Sequence, residues 1–138
     1  MTKEQWEQIK YFSPNENWGN PCKMSFELLK RLDALREFVS HRIIIHCGYA
    51  GGGHTENSQH YLGKAVDFHI ENMSLINQYL AAERFMFTGI GIYPDWNNPG
   101  LHCDVRCKSN ESPQDRWAKL NKKYIPLTEN VIKKIIQK

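Results

Sequence analysis

Two stretches, KAVDFHI at residues 64–70 and GLHCDVR at residues 100–106, alternate apolar and polar side chains with a period of two. That period belongs to a β-strand with one face on a core and the other off it. In the first stretch Val66, Phe68 and Ile70 share one face, and Asp67 and His69 share the other. In the second, Leu101, Cys103 and Val105 oppose His102, Asp104 and Arg106. Two strands thus each offer a histidine and an aspartate on a face that is not core.

The surrounding chain supplies helices. Residues 25–41, SFELLKRLDALREFVSH, place Phe26, Leu28, Leu29, Leu32, Leu35 and Phe38 at spacings of three and four, which predicts an amphipathic helix with Ser25 as its N-cap. RIIIHCGYA (42–50) is short and β-branched and predicts a buried strand, followed by a glycine-rich polar loop through residue 58. SLINQYLAAERF (74–85) predicts a second helix starting near Ser74. TGIGIYP (88–94) predicts a strand joined to the GLHCDVRC strand by the loop DWNNPG. SPQDRWAKLNKKY (112–124) and TENVIKKIIQK (128–138) are expected as two closing helices. Strands in mid-chain with helices on either side predict an α+β fold, a small mostly antiparallel sheet flanked by helices, in a single domain over residues 1–138.

Composition narrows the class. With 138 residues, 41% hydrophobic and 24% charged, the chain can build one sizeable core. No run of about 18 apolar residues exists, so no membrane span and no stable membrane association are expected. The N-terminus lacks the basic-then-apolar layout of a secretory signal, so the chain is expected to be cytoplasmic as synthesised. A net charge of +3 without a basic stripe or stacking platform argues against a nucleic-acid partner. The basic C-terminal segment NVIKKIIQK reads as a packed helix with a solvated face. Four cysteines without a CxxC pair read as free thiols, although a turn between Cys103 and Cys107 would let those two meet.

His60 precedes Asp67 across the small segment LGKA, which lets the chain turn back. His60, Asp67 and His102 would supply two nitrogens and an oxygen, a set that suits a divalent ion with its fourth position open to water. From spacing alone, each also fits a plainer role: a solvated histidine, or a carboxylate that caps a turn or pairs with Lys64.

SQHYLGKAVDF (58–68) resembles the S-x-H-x-x-G-x-A-x-D signature of peptidase family M15, the zinc D-Ala-D-Ala carboxypeptidases and phage endolysins. GIGIYPDWNNPGLHCDVR (89–106) is similar to that family's closing segment, a G-x-G-x-Y-P strand followed by H-x-D-x-R. The resemblance runs from Tyr11 to Trp117 and points to the H-x-D branch. It implies the D-Ala-D-Ala carboxypeptidase/hedgehog-like fold, and Zn2+ as cofactor held by His60, Asp67 and His102. Ser58 and Gly63 match the turn that holds the first ligand. Asp104 is expected beside the metal, orienting a ligand or a water; a salt bridge to Arg106 is compatible with that.

The pattern is incomplete in two places. Where many members carry a glutamate three residues before the last histidine, this chain has Pro99. Proton transfer is then expected from Asp104 first and Asp95 second, with His46 and His69 nearby; a turn-forming role fits Asp95 equally. Where the family's strand often ends in an arginine, this chain has Ala50, with Cys47 at the usual serine. Arg106 and Lys64 are the remaining cations for a substrate carboxylate, Ser58 and Tyr93 are further candidates for substrate binding, and Trp96 for a cleft wall. The AGGGHTEN loop either lines the cleft or is only a connection.

The resemblance implies a zinc metallopeptidase acting on peptidoglycan stem or cross-link peptides, as carboxypeptidase or endopeptidase. The expected partner is the peptidoglycan peptide, bound by a monomer, with action at the cell wall after release, as in phage or prophage lysis. The missing glutamate and arginine favour the alternative, a catalytically silent M15-like module stabilised by its metal.

Overall fold

The computed structural model describes residues 1–107 and 115–137. The alternating segments fold into one six-stranded sheet. Its strands are β1 (Ile43–Cys47), β2 (Ala65–Ile70), β3 (Gly89–Tyr93), β4 (Gly100–Asp104), β5 (Asp115–Leu120) and β6 (Lys123–Pro126). Their order is β1-β2-β4-β3-β5-β6. Neighbours run antiparallel except β3 and β5, which are parallel. Four α-helices accompany the sheet: α1 (Lys3–Glu7), α2 (Phe26–Val39), α3 (Leu75–Ala82) and α4 (Glu129–Ile136). The α+β class with a mostly antiparallel sheet is the one the sequence predicts.

Helix α2 starts where Ser25 Oγ accepts a hydrogen bond from the Leu28 N–H, and it ends at Ser40 in the left-handed region. Leu28, Leu29, Leu32 and Leu35 are fully buried, each contributing about 1.5–3 kcal/mol of apolar transfer. Phe38, expected on the same stripe, is 51% exposed, tilted against Phe85 and with the Arg84 guanidinium over its ring. Ser74 caps α3 through the Asn77 N–H. The core between helices and sheet holds Trp18, Phe68, Phe87, Ile90, Ile92 and Leu101. All four cysteines are free thiols. Among the described residues no helix is long and apolar enough to cross a membrane.

One predicted element is overturned. Residues 112–124 are not a helix: from Asp115 onward they form the β5–β6 hairpin, and 112–114 lie outside the described residues. Two features decide it. Asn121 (φ 50°) and Lys122 (φ 66°) both take left-handed backbone, as a two-residue hairpin turn requires. Ala118 and Leu120 bury alternate positions, while Trp117 and Lys119 face the other way. Helix α1, which the sequence did not announce, is capped by Thr2 and Gln5 in a reciprocal box.

Arg116 on β5 reaches the end of α3 and grips both carboxylate oxygens of Glu83, at 2.9 and 2.7 Å; the Tyr79 hydroxyl donates to the same group. Burial opposes the charge on Glu83, but these bonds outweigh it and hold its carboxyl below the ordinary value of 4.5. A carboxylate with a lowered folded pKa contributes stability above its unfolded pKa and loses it as pH falls through the folded value. Glu83→Gln is therefore expected to lower the urea midpoint at neutral pH and to flatten its fall below about pH 4.5. Parallel acid limbs for wild type and variant would contradict the assignment.

Candidate metal centre

Strand pairing builds the site. On adjacent antiparallel strands Asp67 lies directly opposite His102, and the same row continues to Gly91 on β3 and Trp117 on β5. Cys47 closes the row at β1, just past an irregularity in the pairing with β2. Leu101 and Cys103 go into the core, so His102 and Asp104 must point to the opposite face.

His60 comes from the turn before β2. It lies in a short 3-10 helix (Gln59–Leu62), opened by Ser58, whose Oγ accepts from the His60 N–H, and closed by Gly63 at φ +68°. A Cβ on Gly63 would fall 1.8 Å from the Lys23 carbonyl oxygen, so the turn packs directly on the backbone before α2. The Ser25 N–H donates to the Gly63 carbonyl at 2.9 Å and fastens that contact.

Three side chains converge there. His60 Nε2 and His102 Nδ1 lie 3.2 and 3.0 Å from the same oxygen, Asp67 Oδ1. The outer ring nitrogens are both engaged: His60 Nδ1 at 2.7 Å from the Gly48 carbonyl, His102 Nε2 at 2.7 Å from Asp104 Oδ2. A carbonyl accepts only, so His60 carries its proton on Nδ1; the Asp104 carboxylate likewise fixes the proton of His102 on Nε2. Without an ion the inner nitrogens donate to Asp67 Oδ1, and once an ion displaced those inner protons both lone pairs would face one point. Burial opposes the charge on Asp67, yet hydrogen bonds from His102 and His60 hold its carboxyl well below the usual range. Burial likewise works against a charged His60, and its bonds to Asp67 and Cys47 raise it instead to about 10. Two imidazole nitrogens and a carboxylate oxygen within 4.8 Å of one another, each imidazole backed by an outer acceptor, fit a divalent cation with a position left for water.

The centre opens into a cleft of about 930 Å³. That cleft is lined by the loop 53–59 and by Tyr93, Trp96, Trp117, Lys119 and Tyr124. The loop does line the cleft. It is pinned by Tyr61, whose hydroxyl accepts from the His54 N–H and donates to the His54 carbonyl. His54 also stacks on His60, with centroids 4.2 Å apart. The Trp117 ring lies over Gly91, where a Cβ would come within 2.5 Å of it, and sits 5.2 Å from the His102 ring. Its Nε1–H donates to the Tyr93 hydroxyl, and Tyr93 stacks on Trp96 at 4.4 Å.

The remaining expected residues divide. Asp104 is fully buried behind His102, its two oxygens also accepting from the Arg106 guanidinium and backbone N–H. Burial opposes its charge, but His102 and Arg106 keep its carboxyl well below the usual range. Arg106 reaches the cleft rim while tied to Asp104 and Asp115. Asp95 does not line the cleft: its Oδ2 accepts from the Asn121 N–H at the β5–β6 turn. His46 and His69 bond to each other at 2.6 Å, outside the convergence point. Lys119, Trp117 and Tyr124 are cleft residues that the sequence did not point to, and His54 was expected there only as part of the AGGGHTEN loop. Trp117 was reachable only by reading 115–120 as a strand, which sets it in the row of His102.

A family model described as peptidoglycan L,D-endopeptidase MepK (Peptidase_M15_2) matches residues 20–108, well over half of the chain. No curated protein matches it.

Proposed function

The chain belongs to the M15 peptidases, and from that premise we propose that it is a zinc-dependent peptidase cutting peptide bonds in peptidoglycan stem or cross-link peptides. The observation that carries the reading is the convergence of His60 Nε2, Asp67 Oδ1 and His102 Nδ1 at the floor of an open cleft. Two imidazoles, one carboxylate and an open position suit zinc. When bound, such an ion supplies an activated water and polarises the scissile carbonyl.

The protein's own residues do the rest. Gly48 and Asp104 keep the outer ring protons on His60 Nδ1 and His102 Nε2, so the inner nitrogens are the ones that would give up their protons and ligate. Asp104 thus acts in this reading as a positioning residue, and Arg106 balances its buried charge. Tyr93, Trp96 and Trp117 line the cleft and offer an aromatic surface against which a bound peptide can lie. Among the described residues, Glu56 is the carboxylate other than Asp67 that lines the cleft, and the role of proton acceptor falls to it. With Ala50 at the family's arginine and Arg106 engaged, cleavage within a cross-link, where no terminal carboxylate must be held, is favoured over carboxypeptidase action.

Digestion of purified peptidoglycan tests this. New amine termini are expected with the zinc-loaded protein and none after chelation. No release by the loaded protein would sink the enzyme reading and leave the metal-stabilised module. Two variants separate the assigned roles. Glu56→Gln is expected to lower kcat by about 100-fold with zinc affinity unchanged. Asp104→Asn is expected to weaken zinc binding by about 10–100-fold, because the His102 tautomer is no longer fixed. Unchanged zinc affinity in Asp104→Asn would remove its positioning role.

A further inference from the structure

We propose that Cys47, His54 and His60 form a second cation site, selective for thiophilic divalent ions, which competes with the first centre for the His60 ring. Cys47 Sγ lies 3.7 Å from His54 Nε2 and 3.9 Å from His60 Nδ1, and the three ligand atoms fall within 4.8 Å of one another. A tetrahedral ion with metal–sulfur bonds near 2.3 Å and metal–nitrogen bonds near 2.0–2.1 Å holds sulfur and nitrogen about 3.5–3.6 Å apart. The sulfur–nitrogen separations therefore need shifts of only a few tenths of an ångström, while the His54 ring, stacked on His60 with centroids 4.2 Å apart, must turn its edge toward the ion. His54 and Cys47 are each partly exposed, and His54 lines the cleft, which gives an ion its entry path and its fourth ligand as water.

The two sites use opposite nitrogens of one ring. At the first centre His60 offers Nε2 and keeps its proton on Nδ1, donating to Gly48. At the second it must offer Nδ1, so the proton moves to Nε2 and is donated to Asp67 Oδ1, while the Cys47 thiol proton leaves to solvent. Gly48 then loses its donor. That loss disfavours the second site for ions with no preference for sulfur, and the thiolate restores the balance only for soft ones. A neutral imidazole has one lone pair, so one His60 ring serves one site at a time. The second site stands on its own ligands; only the competition rests on the reading above.

The probe is cadmium chloride added to the metal-free protein, in a Cys22→Ser/Cys107→Ser background that removes the exposed thiols. A thiolate-to-cadmium charge-transfer band in the ultraviolet is expected, saturating at one ion per chain. Adding Cys47→Ser should abolish it, and His54→Gln should weaken cadmium binding by at least about tenfold; circular dichroism confirms that each variant folds. No band, or a band that survives Cys47→Ser, overturns the site. Preloading with zinc should suppress the band. An undiminished band on protein that demonstrably holds zinc overturns the sharing of His60. Should the protein fail to hold zinc, metal analysis reports that separately, and the cadmium titration still decides the second site.

Discussion

Asp67→Asn is expected to leave the protein folded, nearly free of zinc, and at least about 1,000-fold less active on peptidoglycan. The substitution keeps the size of a mostly buried side chain and removes only its charge. That charge is what His60 and His102 converge on, at 3.2 and 3.0 Å from one oxygen. A neutral amide leaves two imidazoles facing each other without an anion, a poor site for a hard-to-intermediate dication. Losing the several kcal/mol of charge stabilisation that a bound ion supplies corresponds to on the order of three decades in rate, at 1.36 kcal/mol per decade. Metal analysis of the native protein, Asp67→Asn and His102→Ala provides the check. Equal, stoichiometric zinc in all three would contradict the ligand assignment, whatever the activity.

The largest effect on stability is expected at Gly63→Ala. The residue sits at φ +68°, where a side chain costs about 1–2 kcal/mol, and the new Cβ would fall 1.8 Å from the Lys23 carbonyl oxygen. That neighbour is backbone and cannot rotate away, so the whole turn must lift from the segment before α2. A destabilisation of about 3–5 kcal/mol follows, lowering the melting temperature by roughly 10 °C or more. Gly52→Ala makes the control, since a Cβ there meets nothing within 4 Å; its effect is expected within about 0.5 kcal/mol. Equal melting temperatures for the two variants would show that the turn gives way cheaply. Because Gly63 also closes the helix that carries His60, any Gly63→Ala protein that folds should bind zinc more weakly as well.

How far the fold was legible follows from where its information is stored. Val66, Phe68 and Ile70 against Asp67 and His69 is a local pattern with a single period, and it fixed both the strand and its faces. The leucines of α2 did the same for the helix. In DRWAKLNKKY, by contrast, Trp117, Leu120 and Tyr124 fall at helical spacing, while Ala118 and Leu120 alternate. The outcome hung on Asn121 and Lys122 adopting left-handed backbone without a glycine to announce it. The meeting of His60, Asp67 and His102 was expected from the family resemblance, since spacing alone left plainer roles open. Strand pairing accounts for the Asp67–His102 contact, and the turn before β2 adds His60. The place of His54 over His60 was not expected, since it depends on a loop held by Tyr61 and on a ring stacked from above. The setting of Asp104, aimed at the back of His102 and gripped by Arg106, was legible from its position two residues past the histidine, since i and i+2 share a strand face.

The row that runs from Cys47 through Asp67, His102 and Gly91 to Trp117 has one more consequence. Side chains alternate faces along every strand, so sliding β2 by one position against β4 would turn Asp67 inward and push Val66 and Phe68 out into the cleft. No misaligned sheet could then assemble the three ligands. In the proposed reading, an ion held jointly by His60, Asp67 and His102 would report that β2 and β4 have paired in the native alignment.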